Sequence, residues 1–325
     1  MKHIFMVAFA LVSLGETLAF GQTSNTKCVA EHYRVLPLPL RATSINDMGH
    51  VAGISQNHRA AIWTDRSGLR EIPLPNGLLD AEAVAINHAG HVVGNAHDRT
   101  LGRHQAFFYG GGKLTVLSGE QSRAFGINDA DVIVGMSVTA PGKPPDPVIW
   151  NGNVIQSLAP CCGGAATAVN LGGDAIGNVH DDRGRYHAVL WTKGGGIKQI
   201  GPVNEYSTAI AINDYGHAIV QAFSKVFLYA DGSLVRLELH PNYPSKPLAL
   251  NNCDVVVGAF GPFSDADRAF IWDKSLGFRD LNDLISSDSG WKLESATGIN
   301  NHGAIVGHGD FRGADDTGFL LIPEK

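Results

Sequence analysis

Short apolar runs alternate with polar turns along the whole chain, and one phrase returns seven times. It consists of an aliphatic residue, Asn, Gly or Asp three positions later, and then a Val/Ala/Ile-rich stretch that usually ends in Gly. The copies are Ile45-Asn46, Ile86-Asn87, Ile127-Asn128, Val169-Asn170, Ile212-Asn213, Leu250-Asn251 and Ile299-Asn300. Self-similarity at a period of about 41 residues marks a repeat architecture, so this phrase decides the fold class before any single residue is weighed.

The second copy shows what a unit contains. Ala83-Val84-Ala85-Ile86 and His91-Val92-Val93-Gly94 are β-prone runs joined by Asn87-His88-Ala89-Gly90. This reads as a hairpin with a type I turn closed by a left-handed bulge residue. Gly fills the closing position in five copies, and Asp131 and Asp254 fill it in two, where a short polar side chain tolerates positive φ. The repeated Asn is assigned to the turn, with its side chain satisfying local amides; it is not read as a ring of ligands. A third run ends in an aromatic residue in six copies, from Trp63 to Trp272. A fourth has apolar residues three apart, such as Leu69 and Ile72 or Phe278 and Leu281. Four antiparallel strands in about 41 residues make one propeller blade.

The two ends of the chain complement each other. The seventh copy stops at Lys325 after its third strand, whereas Tyr33-Arg34-Val35-Leu36-Pro37 resembles Leu69-Arg70-Glu71-Ile72-Pro73, a fourth strand without its predecessors. The expected fold is therefore all-β: a seven-bladed β-propeller of four-stranded antiparallel blades, closed by an N-terminal strand that completes the last blade. Small residues four and two positions before each Asn, such as Ala83 and Ala85, place that strand at the crowded axis.

Residues 1–21 read as a secretory signal: Lys2 and His3, an apolar run from Ile4 to Leu14, and a small-x-small site at Ala19-Phe20-Gly21. The run is too short to span a bilayer. Residues 22–32 follow as a linker and 33–325 as the propeller, so the mature chain is expected to be a secreted or periplasmic monomer without a membrane span. Lys and Arg number 25 against 31 acidic residues, with no basic cluster, which removes the electrostatic footprint of nucleic-acid binding. Cys28, Cys161, Cys162 and Cys253 leave three disulfide pairings open. The adjacent Cys161 and Cys162 suit bridges to other loops, or free thiols, better than a bond between neighbours.

Written as Ala-x-Gly/Ala-Ile-Asn-x-x-Gly-x-Val-Val-Gly with a following Ala-Phe-x-Trp strand, the unit resembles the HAF repeats of extracellular bacterial proteins, named for a His-Ala-Phe tripeptide. That tripeptide stands here as His187-Ala188-Val189, Gln105-Ala106-Phe107 and Arg268-Ala269-Phe270. The section from Asp280-Leu281-Asn282 through Gly290-Trp291 to Ile299-Asn300 resembles the family's closing repeat. The resemblance runs from about residue 33 to 323 and implies an extracellular location and a propeller-like shape, without an established activity. The fifth copy departs from the pattern: Val220 and Gln221 stand where Gly is expected, and the connection to Val226 is short.

Candidate chemistry gathers where the copies differ. His50, His91 and His217 recur with the repeat and read as strand-start residues. A variable set comprises His97, Asp98 and His104, then His180, Asp181, Asp182 and His187, then Asp265 and Asp267, and finally Asp310. All lie between second and third strands, in loops that share one mouth of a ring with the blade-to-blade connections. Carboxylates and histidines converging there would suit a calcium ion held by oxygen ligands or a general acid and base. Calcium apart, no cofactor is expected. The chain contains no EF-hand loop, HExxH, GxSxG, phosphate loop or dinucleotide fingerprint. The expected function is a secreted, non-catalytic binding or interaction scaffold for a protein or polysaccharide partner of the envelope or extracellular space. The alternatives are an extracellular propeller enzyme, a hydrolase or lyase on carbohydrate or ester, and a calcium-dependent carbohydrate-binding protein.

Overall fold

In the computed structural model, which describes residues 28–160, 162–262 and 267–324, each repeat is one four-stranded antiparallel sheet with strands adjacent in chain order. Six blades cover residues 40–71, 78–116, 120–157, 164–199, 208–236 and 245–280. The seventh takes three strands from the end of the chain, Trp291–Ile299, Ile305–Phe311 and Ala314–Pro323, and its outer strand is Tyr33–Leu38. Tyr33 faces Pro323 and Leu38 faces Gly318, so the two ends of the propeller share one sheet. The fold is thus a seven-bladed β-propeller, all-β apart from one short 3-10 turn at Leu281–Leu284 among the described residues. The segment read as a signal peptide lies outside the described residues, as do Cys161 and Asp265.

The inner hairpins follow from their turn residues. Gly49 N–H donates to Asn46 O at 3.0 Å and Asn46 N–H to His50 O at 3.1 Å, a type I turn closed by a left-handed residue. The closing residues have positive φ, including 58° at both Asp131 and Asp254. Each Asn Oδ1 accepts amides of its own turn; at Asn128 these come from Ala130 and Val132, both at 3.0 Å.

The other end of the Asn side chain does something the linear sequence does not display. Asn46 Nδ2 donates to Asn87 O, Asn87 to Asn128 O, Asn128 to Asn170 O and Asn170 to Asn213 O, at 2.8–3.3 Å. Asn213 continues to Asn251 O, Asn251 to Asn300 O, and Asn300 returns to Asn46 O at 3.1 Å. Seven amides therefore form a closed circle of inter-blade hydrogen bonds. All seven side chains are buried, where an unmade bond would be costly.

Histidines after the turns add pairwise links of the same kind. His91 Nδ1 lies 2.8 Å from Asp131 of the next blade, and His217 Nδ1 lies 2.9 Å from Asp254. These are the two Asp residues that replace the turn glycine, so the exceptions to the Gly rule carry inter-blade His–Asp hydrogen bonds.

Apolar packing is also divided among the blade interfaces. Trp150, fully buried in the third blade, packs with Val93 and Ala106 of the second; Val134 of the third packs with Ala166 and Trp191 of the fourth. Each of the seven clusters joins two neighbouring blades. The outer strands are shorter than their apolar spacing implies, three or four residues in the first six blades. Ile72, Leu117 and Ile200 fall just beyond them and turn inward as buried interface residues. In the second strand the recurring glycine is a close-approach device. A Cβ on Gly135 would stand 1.9 Å from Arg123 O, which the inner-strand bulge brings forward.

Two further contacts hold the chain ends. Arg41 of the first blade lies 2.9 Å from Asp316 of the seventh, and His308 sits between them, 3.3 Å from the Arg41 guanidinium and 3.1 Å from Asp316. An Arg donates only, so the facing His308 Nε2 is an acceptor and the ring is neutral. Cys28 is bonded to Cys253 in the inner turn of the sixth blade, tying the segment ahead of Tyr33 to the ring. Cys162 is disulfide-bonded as well, which corrects the free-thiol reading for that residue.

Three outcomes test this account. Asn128→Asp keeps the turn acceptors but deletes the inter-blade donor and sets a carboxylate against Asn170 O. Urea unfolding at neutral pH should show a loss of about 2 kcal/mol, with partial recovery in acid as the new carboxyl protonates. Breaking Cys28–Cys253 releases a constraint across 225 residues and should cost about 5 kcal/mol on the chain-entropy scale, with faster amide exchange at Val35 and Leu36. For His308, burial and then the Arg41 cation hold the imidazole below its ordinary pKa, against the pull of Asp316 and Glu294. The unfolded chain then binds the proton more readily, so stability is full above about pH 6.5 and is lost as pH falls toward the folded value. Melting temperature should drop on acidification from pH 7 to 5, and His308→Gln should flatten part of that drop.

Candidate functional site

A meander blade sends its connections to opposite ends of the ring. The Asn turns lie at one end; the loops between second and third strands and the blade-to-blade links lie at the other. The inner strands enclose a cavity of about 370 Å3 between these ends. Val84, Phe125, Ile210 and Leu248 line it with apolar surface. Thr43, Thr167 and Thr297 also line it, but their hydroxyls donate to carbonyls of the next blade at 2.7–2.9 Å. Asp47, Asp129 and Asp214 belong to the Asn-turn end, where they accept from the amides of Asn301, His88 and Leu171. The axis is therefore a structural seam whose polar groups are largely engaged by neighbouring blades.

Among the described residues, the loop assignment made from the sequence holds for Asp181, Asp182 and Asp267 only. His97, Asp98, His104, His180, His187 and Asp310 are on the second and third strands themselves, because the strand ladder runs further toward the hairpin than the apolar pattern does. The described members of the set stand at the opposite end, each group within its own blade. In the second blade His97 and His104 face each other across two strands, with ring centroids 5.7 Å apart and an edge-to-face tilt. Desolvation, with the Arg123 cation and His97 beside it, holds the His104 imidazole below its ordinary pKa. Asp98 Oδ1 accepts the Thr100 and Leu101 amides at 2.8 and 3.0 Å, which builds the turn itself.

The fourth blade carries the densest set. Asp181 Oδ1 accepts the amides of Arg183 and Arg185 at 2.9 Å, and Oδ2 accepts from Arg185 Nε at 2.7 Å and lies 3.0 Å from His187 Nε2. The Arg185 amide, then His187 and the remaining donors, hold this carboxyl well below the usual range. It is a permanent acceptor, unsuited to proton transfer near neutrality. His180 packs edge-on against Tyr186 at 4.3 Å, and Asp182 is exposed.

In the sixth blade Asp267 pairs with Lys246 at 3.5 Å. In the seventh Asp310 accepts the Gly313 amide at 2.8 Å. Among the described residues no hydrogen bond or ion pair links the set of one blade to that of another, and no three His, Cys, Asp or Glu side chains converge as metal ligands. The common mouth gathers these loops at one end, while local turn chemistry keeps their side chains apart.

The same end also exposes aromatic rings that the sequence reading did not single out. Tyr186, Tyr206, Phe223 and Tyr243 are 45–66% exposed; Tyr186 opens the third strand of the fourth blade, Tyr206 lies on the link to the fifth, Phe223 on the fifth blade's hairpin and Tyr243 on the link to the sixth. Tyr206 meets Phe223 edge-on at 5.9 Å. Tyr243 stacks on His240, which stacks on the buried Phe260. The available signal was the irregular fifth copy, whose short connection contains Phe223.

Neither a protein-family model nor a curated protein sequence matches the chain. Similarity to solved structures supports the fold. The β-propeller domain of the Trilobed protease from Pyrococcus furiosus, described as having an open velcro topology, aligns over 90% of this chain and 96% of its own at 9% identity, with a TM-score of 0.57. YCF48 bound to D1 peptide aligns over 94% and 99% at 12% identity, with a TM-score of 0.55. Pyrococcus horikoshii acylaminoacyl peptidase aligns over 78% of this chain at 12% identity, with a TM-score of 0.50, and the chain spans 46% of that peptidase. At such identities the likeness is one of fold alone, and it supports the β-propeller architecture of this chain.

Proposed function

We propose that the chain is a secreted or periplasmic, non-catalytic propeller that binds a component of the envelope or extracellular space. Its contact surface is the end formed by the second-to-third-strand loops and the blade-to-blade links. The observation that carries this reading is a contrast at that end. Asp98, Asp181 and Asp310 are closed onto their own turn amides, whereas Tyr186, Tyr206, Phe223 and Tyr243 stand in solvent. Acid–base catalysis needs a side chain free to meet the reacting atom; recognition needs exposed rings backed by a rigid scaffold.

Export is supported by the amino-terminal signal-like segment, by the resemblance to HAF repeats and by Cys28–Cys253, a bond suited to an oxidising compartment. No metal and no second subunit enters this reading.

Immobilised mature chain should retain at least one component of a solubilised envelope fraction in a saturable manner, while a heat-unfolded control does not. Chelator, Asp98→Asn and His104→Ala should leave the retention unchanged. A clean absence of retained material overturns the binding role; loss of retention with chelator restores the calcium-dependent alternative.

A further inference from the structure

The fifth blade is the place where the ring gives up height. Phe223 and Ser224 alone connect its second and third strands, whereas residues 181–185 do so in the fourth blade. A two-residue hairpin of this kind favours Gly at its first central position, because φ there is positive. Here that position holds Phe223, with φ of 52° and the residue 66% exposed. Positive φ is strained for a bulky residue, and exposure forgoes the burial that would offset it. Nothing in the packing of the blade requires a phenyl ring at this point.

The surroundings select the kind of ligand. Tyr206 holds Phe223 edge-on, Tyr186 stands on the neighbouring blade against His180, and Tyr243 follows on the link to the sixth blade. The charges near the rings balance in sign: Arg185 lies 2.7 Å from Asp181 and Lys225 lies 3.6 Å from Glu205, and the exposed Asp182 and Arg183 are one of each sign. A surface of rings with its charges balanced in sign has little net field with which to attract an acidic or basic partner. It suits a ligand that is uncharged, apolar on its faces and polar at its edges, as a tyrosine itself is. Pyranose rings have this character: C–H faces that stack on aromatics, rimmed by hydroxyls.

We propose that the surface over the short fifth-blade connection, where Phe223 meets Tyr206 and Tyr186 and Tyr243 stand on the fourth blade and on the link to the sixth, binds a neutral polysaccharide chain by stacking. This rests on the binding role proposed above and names its ligand class.

Native electrophoresis of the mature chain in gels containing hydroxyethyl cellulose, arabinoxylan or galactomannan tests it. At least one polymer should retard the protein, equally with and without chelator. Phe223→Gly relieves the backbone strain, so its melting temperature should equal or exceed that of the parent, while its apparent affinity falls at least tenfold. Tyr206→Ala should weaken binding in the same direction. Retardation that survives both substitutions overturns the proposal, as does its absence in all three gels. Envelope material retained through a protein, lost with Phe223→Gly and unaccompanied by polysaccharide retardation, overturns the ligand class but leaves the binding role. Retention of nothing overturns both.

Discussion

A propeller must close, and here closure rests on a side-chain amide used at both ends. The oxygen of each repeat Asn organises its own turn, and the nitrogen reaches the main-chain carbonyl of the next Asn, from Asn46 around to Asn300 and back. Because donor and acceptor come from the same position in successive copies, every blade is placed relative to its neighbour by the same bond. A closed circle follows when the count and angle of the blades bring the seventh amide back to the first carbonyl. Burial makes the arrangement demanding, since each amide has few other partners within the seam.

That constraint explains how the rest of the packing is distributed. No blade has two buried faces of its own; the apolar side chains meet between blades, as Trp150 does against Val93 and Ala106. Stability is therefore divided among similar nearest-neighbour contacts, as in other repeat folds, and the join between first and last blades is the place where the chain itself gives no continuity. Added devices gather there and near it. Tyr33–Leu38 completes the seventh sheet, Arg41, His308 and Asp316 connect its second and third strands to the first blade, and Cys28–Cys253 anchors the segment leading to the closing strand.

The regularity that secures the ring also separates its two ends in character. At the Asn-turn end, residues recur because geometry requires them, and even Asp131 and Asp254 have partners in His91 and His217. At the other end the copies are free to differ, because those loops take no part in the circle of amides. His97, Asp98, Asp181 and Asp310 looked like the chemical content of that end, but the polar side chains form local turns and pairs there. The irregular fifth blade shows a different departure, with a short connection and an exposed ring at Phe223.

Local rules and repetition were enough, by themselves, to determine the seven blades, their four-stranded meander, the positive-φ turn residues and the strand exchange between chain ends. Each depends on short-range pattern or on matching one segment with another. Only the tertiary structure decided which partner an Asn amide takes across a blade boundary, why two turns carry Asp, and that Cys28 meets Cys253. It also decided that carboxylates at a common mouth are held by their own turns while Tyr206 and Phe223 come together across a blade junction. These outcomes depend on the angle and spacing between blades. Residues tens of positions apart become neighbours only when the ring is closed, and a side chain's local partners then determine what remains available to a ligand.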